Sequence, residues 1–217
     1  MAIQFDNSNT GTVTLKPPAS GSVALVLPSA DGTSGQVIST DGSGNLSFTT
    51  ANVPASAMPA GSVLQMVSYL TATQASQVLN GTDQVVNGIT KQITPLGNNS
   101  KFLVTVRWFG EVSNGWDTPF NIHMDGVRVN IDGQGRGYGL GMSNQTYPVG
   151  NDNSSTPETL NMSTLVSTSS VIGTPITFSL VADTQATNTM WTNRCYLINA
   201  INFERGTSEI IITEIKG

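Results

Sequence analysis

The side chains able to do catalytic chemistry are few and poorly placed for it. His123 is the single histidine, so a Ser-His-Asp arrangement would have to run through it. It stands between Ile122 and Met124 in a strand-like stretch, where a hydrogen-bonded structural histidine is expected. A glycosidase needs two facing carboxylates. Asp117, Asp125, Asp132, Asp152 and Asp183 are at hand, but mostly in turn contexts, where Asp serves to hydrogen-bond the backbone. No D-x-D-x-D-G run offers a calcium loop, and no solenoid-type repeat accompanies them. Cys195 is the only cysteine and allows no internal disulfide. Tyr196, Leu197 and Ile198 follow it in strand-like order, which suits a buried structural thiol better than a reactive one. The chain is therefore expected to be no enzyme and to need neither cofactor nor metal.

Recognition has more material. Gly133, Gly135, Gly137, Gly139 and Gly141 recur at every second residue. On a strand they share one bare face, open to another backbone or to a flat ligand such as a sugar. As a surface loop they are merely permissive, since glycine weakens a strand through backbone entropy. They form no dinucleotide fingerprint, because no G-x-G-x-x-G opens a helix here. Trp108 belongs to a strong strand pattern and is expected in the core, whereas Trp116 in SNGWDTP and Trp191 in TNTMWTN lie among loop-type residues. An exposed aromatic there would stack on a sugar ring, and burial under a loop or a subunit is the other reading. Trp116, Tyr138 and Trp191 are the candidate receptor contacts.

The elements that must position these groups are strands. Only 11% of the 217 residues are charged and the net charge is −5, against about a quarter charged in ordinary soluble domains. Ser, Thr, Asn and Gly prefer strands and turns to helix interiors. Nine Lys and Arg, dispersed rather than clustered, provide no basic stripe for nucleic acid. No apolar run approaches the roughly twenty residues a spanning helix needs, so no membrane insertion is expected. MAIQFDNSNT lacks the basic start and apolar stretch of a secretory signal, which leads us to expect assembly in a cytoplasm.

Residues 13–48 are short alternating runs broken by Gly, Pro, Ser and Asp, a strand-and-turn pattern. Strands are expected at 13–15, at 23–27, at 35–40 and, after a turn at Asp41, Gly42, Ser43 and Gly44, at 45–48. A segment of roughly forty residues without metal or disulfide cannot offset its ordering entropy alone. Sharing strands between identical chains is the remaining solution, with Val23, Leu25, Leu27, Val37, Leu46 and Phe48 as the interface.

Residues 51–62, with two prolines and no charge, read as a semi-rigid linker. Beyond it lie strand patterns at 63–69, 101–109, 159–168, 175–182, 194–203 and 209–215, and a hairpin turning at Asp125-Gly126. TATQASQVL allows a turn of helix but is too short to sustain one on its own. In KFLVTVRWF, Phe102, Val104, Val106 and Trp108 share a strong face, while Leu103, Thr105, Arg107 and Phe109 share a weaker one that suits contact with another subunit. The expected fold is all-β: an N-terminal extended or intertwined β-strand segment at 1–50, then a C-terminal jelly-roll-like β-sandwich at 63–217.

The succession TLKPP, VALVLP and DGTSGQVISTDGSGNLSF resembles a segment of tail-fibre and other virion proteins of tailed bacteriophages, where it joins a slender base to a C-terminal domain. It covers about a sixth of the chain. Ile38 and Phe48 stand where that pattern has Leu and Trp. RGTSEIIITEIKG, in turn, is similar to the last strand of small β-sandwich domains that end many marine phage structural proteins. These resemblances imply a homotrimeric virion protein assembled in the host cytoplasm and attached to another virion protein through its N-terminal segment. A tail fibre or adhesin whose head binds a host-surface glycan is the expectation. The alternative is a trimeric capsid decoration protein that stabilises the head lattice.

Overall fold

A computed structural model describes residues 24–113, 118–130, 137–143, 157–196 and 204–217. It is all-β and antiparallel throughout its named strand pairs. Among the described residues no helix is long and apolar enough to cross a membrane. The chain divides into two units, Met1–Val53 and Pro54–Gly217.

In the first unit β1 (Gln36–Thr40) and β2 (Leu46–Thr50) form a hairpin in which Ile38 lies opposite Phe48. The turn between them is held by Asp41, whose carboxylate accepts from the backbone N–H groups of Ser43 and Asn45 and from the Asn45 amide. Gly42 and Gly44 supply the left-handed φ values of 81° and 95° that the turn requires. Gly44 has a second duty, since a Cβ there would meet the Ala24 carbonyl oxygen at 2.5 Å. The expected strand at 23–27 shrinks to one parallel bridge between Val26 and Asn45. Among the described residues two backbone bonds hold it, Val26 N–H to Gly44 O and Leu46 N–H to Val26 O, and Pro28 ends the run. Val23 and the strand expected at 13–15 lie outside the described residues.

The second unit consists of two sheets around one core. In the first sheet β6 (Lys101–Val112) is the common strand. One edge of it carries β10 (Glu158–Ser167); the other carries β13 (Ser208–Ile215) and β12 (Asn188–Thr192), flanked in turn by β3 (Val63–Thr71) and β4 (Ala75–Leu79). The second sheet runs β5 (Gln84–Ile93), β11 (Ile176–Ala182), β7 (Pro119–Met124), with β8 (Val127–Arg128) and β9 (Gly141–Met142) sharing the far edge of β7. Alternation puts Phe102, Val104, Val106 and Trp108 of β6 fully inside, facing Phe120, Ile122, Phe178 and Leu180 of the other sheet. Two aromatic pairs cross between the sheets, Phe102 with Phe178 at 5.6 Å and Trp108 with Phe120 at 5.1 Å.

Three expectations need correction here. TATQASQVL is not helical: its second half is β4, paired with β12 in register from Ala75↔Thr192 to Leu79↔Asn188. Five residues of helix cannot repay nucleation, whereas the Gln77 side chain fastens β4 to β5 of the other sheet, donating to Val85 O and accepting from Asn87 N–H. TNTMWTN is not a loop either, because Asn188–Thr192 is β12. The Pro/Ala stretch is only partly a linker. Lys216 Nζ donates to Ala55 O and Ser56 O of a short 3-10 turn, and Lys216 exchanges backbone bonds with Gly61 and Ser62. A cation on orphaned turn carbonyls thus ties 55–62 to the last strand. Of the strand expected at 194–203, residues 197–203 lie outside the described residues.

Candidate functional site

β7 turns Phe120 and Ile122 to the core and Asn121 and His123 to the opposite face, all of them buried. Asn121 is the scaffold for an exposed aromatic. Its Nδ2 donates to Tyr138 O at 3.2 Å and its Oδ1 accepts from Leu140 N–H at 3.2 Å, which lays residues 137–140 along the sheet. Tyr138 itself is left 57% exposed. Close approach is what the local glycines permit. A Cβ on Gly139 would meet Pro119 Cβ at 2.8 Å, and one on Gly141 would meet Met162 Sδ at 2.7 Å. Gly141 belongs to β9, and Gly137 takes a left-handed φ of 89°. Gly133 and Gly135 lie outside the described residues.

Beside Asn121, two residues along the same face and hence roughly 7 Å away, lies a group of charged side chains. Arg128 of β8 is opposite His123 in the ladder. Its guanidinium forks onto Asp83, with Nε 3.0 and 2.8 Å from the two oxygens and Nη2 2.8 Å from Oδ1, and Nη2 also reaches Asp183 Oδ2 at 3.2 Å. Such planar bidentate pairing orients both partners as well as attracting them. Asp83 adopts a left-handed φ of 49° just ahead of β5, and Asp183 follows β11, so the arginine pins two strand ends that the chain separates by a hundred residues.

His123 Nε2 lies 3.5 Å from Asp83 Oδ2, too far for a well-formed hydrogen bond, and is a buried nitrogen without a hydrogen-bond partner. Burial is the strongest influence on the ring and pushes its pKa below the ordinary 6.5; the Asp83 charge pulls it back, and the Arg128 charge lowers it again. The expected outcome is a stability that declines with acid. The unfolded chain binds the proton more readily than the folded one, so the stability conferred by neutral His123 is complete above its ordinary pKa and is lost as pH falls through the lower folded value. Thermal melts of wild type and His123→Gln across this range should converge on the acid side; parallel curves would show that His123 does not titrate against folding.

The remaining sequence candidates are dispersed. Trp191 is only 8% exposed, its ring 4.7 Å from that of Tyr196, so it is a packing residue and not a free stacking platform. Trp116, Asp117, Asp132 and Asp152 lie outside the described residues. Asp125 anchors the β7–β8 turn, where it accepts from Thr177 N–H and, with Gly126, takes left-handed φ values of 50° and 84°. Cys195 is buried, and burial first, then Glu204, pushes its thiol pKa up, away from a reactive thiolate. Among the described residues no group of three or more His, Cys, Asp or Glu side chains is arranged to hold a metal ion. An open groove of about 410 Å³ runs between Met124–Asp125 and the hydroxyl-rich residues 167–176. Asn121, Arg128 and Asp83 carry no motif by which the sequence would single them out. No model of a known protein family matches the chain, and no curated protein matches it.

Leu25, Leu27, Val37, Leu46 and Phe48 all belong to the first unit, in which no described residue is buried. Leu25 is 60% and Leu27 73% exposed, and Val37 and Ile38 are exposed beside them. Phe48 is covered on one side by Gly32, where a Cβ would meet its ring at 2.6 Å.

Proposed function

We propose that this chain is a non-enzymatic structural protein of a tailed-bacteriophage virion, a homotrimeric tail fibre or adhesin. In this reading residues 1–50 join identical chains and dock on another virion protein. The β-sandwich, with jelly-roll-like connectivity, is the head that meets a host-surface glycan. The observation that carries the reading is the uncovered first unit. It leaves Leu25, Val26 and Leu27 ahead of the hairpin, and Val37 and Ile38 within it, in water, and covering each is worth about 1 kcal/mol or more. A three-fold arrangement of copies supplies that cover with closed symmetry. The resemblance of 13–48 to virion segments points the same way, and Tyr138, held exposed over Asn121, offers a ring face for a sugar.

Light scattering on the purified chain should return three times its 22.8 kDa mass; a monomer at micromolar concentration would overturn the trimer. Tyr138→Ala should lower adsorption of virions to host cells by about tenfold or more, since several copies multiply each lost contact. Unchanged adsorption would remove Tyr138 from the receptor surface. Quantitative mass spectrometry of virions should count a few dozen copies or fewer, and hundreds would replace the fibre by a head decoration.

A further inference from the structure

We infer that the outer face of the first sheet, across β3, β13, β6 and β10, is a contact surface for a second copy of this chain. The inference rests on the oligomeric reading above and locates a contact that reading leaves open in the head. The ladder registers place Met66, Thr213, Leu103 and Leu165 side by side in one row across all four strands, with Ser68, Ile211, Thr105 and Ser163 in the next. Each points away from the core side chains Val67, Ile212, Val104 and Val166. Met66 is 66% and Leu165 48% exposed, and Leu70 and Val63 on β3 are open too. The outer face of the other sheet is finished differently, with a hydroxyl pair, Thr90 and Ser179 at 2.8 Å, beside the Arg128 cluster.

Charge identifies the occupant. The chain carries 14 Asp and Glu against nine Lys and Arg, so copies repel over most of their surface. On these four strands the outward charged residues open to solvent are Lys101, Arg107 and Glu209, and Glu209 is already paired with Arg107 at 3.9 Å, while Glu111 on the same side of β6 is buried and accepts from Tyr196 N–H. This is where one acidic chain meets another at least electrostatic cost. Size agrees. Four strands about 4.8 Å apart and nine residues long at about 3.3 Å each span roughly 570 Å² in projection. This face and an equal area of the neighbouring copy together bury roughly 1,100 Å², just below the usual range for specific contacts, enough to reinforce an assembly held elsewhere.

The test is analytical ultracentrifugation of the full chain carrying Met66→Lys with Leu165→Lys, beside Val85→Lys, an exposed site on the other sheet. The paired substitution should raise the concentration of half-dissociation at least about tenfold, and Val85→Lys should leave it at the wild-type value. Wild-type protein provides a reading free of folding artefacts: in the assembled state peroxide should oxidise Met66 several-fold more slowly than Met142, which is 49% exposed. Met66 oxidising as fast as Met142, with the paired variant associating normally, overturns the inference and leaves the trimer standing. A monomeric wild type overturns both.

Discussion

Trp108→Ala is expected to destabilise the β-sandwich by about 3–5 kcal/mol, a large share of the roughly 5–15 kcal/mol that holds an ordinary domain together. Trp108 is fully buried on β6 and touches both sheets' contents at once. Its ring lies against Phe120 of the facing sheet, and its Nε1–H donates to Thr192 Oγ1 at 3.0 Å. Gly110, two residues on, exists to make room for that ring: a Cβ there would collide with the Trp108 ring and with the Trp191 carbonyl oxygen. Alanine at 108 therefore opens a cavity between sheets that the β-ladders on either side prevent from collapsing. Trp108→Phe, which keeps most of the volume and loses the hydrogen bond, should fall between wild type and alanine. Urea midpoints compared at equal slope give the difference, and a loss below about 1 kcal/mol would mean the sheets do not depend on this contact.

Glu214→Ala should be nearly as severe, at about 2–4 kcal/mol, because it orphans several donors at once. The Glu214 carboxylate is fully buried on β13. It accepts from Leu96 N–H, Gly97 N–H, Ser100 Oγ–H at 2.6 Å and Gln65 Nε2–H at 2.7 Å. One side chain thereby ties the end of β13 to β3 and to the 94–100 connection. Burial is the largest single influence and opposes ionisation, but the hydrogen bonds from Ser100, Gln65, Leu96 and Gly97 together outweigh it and hold the carboxyl below its ordinary 4.5. The folded protein thus gives up this proton more readily than the unfolded chain. The stabilisation is complete above the ordinary carboxyl value and is lost as pH falls through the lower folded one. Melting curves from about pH 7 to pH 3 should show an acid decline in wild type that Glu214→Gln flattens. An identical decline in both would assign the acid sensitivity to other carboxylates.

Much of the fold was legible before any coordinates. Strands β3, β6, β10, β11 and β13 fall where period-two alternation places them. Both hairpin turns form at Gly-containing Asp turns with left-handed residues, because turn chemistry is local. The alternation also separated the inward face of β6 from its weaker outward one. It failed for β4, β5 and β12. In β12 the polar residues that suggest a loop are buried and satisfied from elsewhere: Thr192 by Asn87 and Trp108, Asn188 by Thr118 and Thr184. In β5, Asn87 and Gly88 take left-handed φ values of 40° and 71°, and the ladder to β11 shifts register along the same strand, a bulge that breaks the alternation without ending the strand.

The candidate site divides along the same line. The uncovered apolar side chains of the first unit follow from a segment too short for a core of its own, which composition and length already state. That Tyr138 is presented and Trp191 hidden was decided by tertiary structure. Asn121 reaches across to the 137–140 backbone, while Tyr196 closes over Trp191. The Arg128, Asp83, Asp183 and His123 cluster has the same origin, as do the donors around Glu214. Local pattern determines which way a side chain points from its own strand. Which polar group waits on the other side depends on strand pairings a hundred residues apart, and those are settled only when the two sheets close on one core.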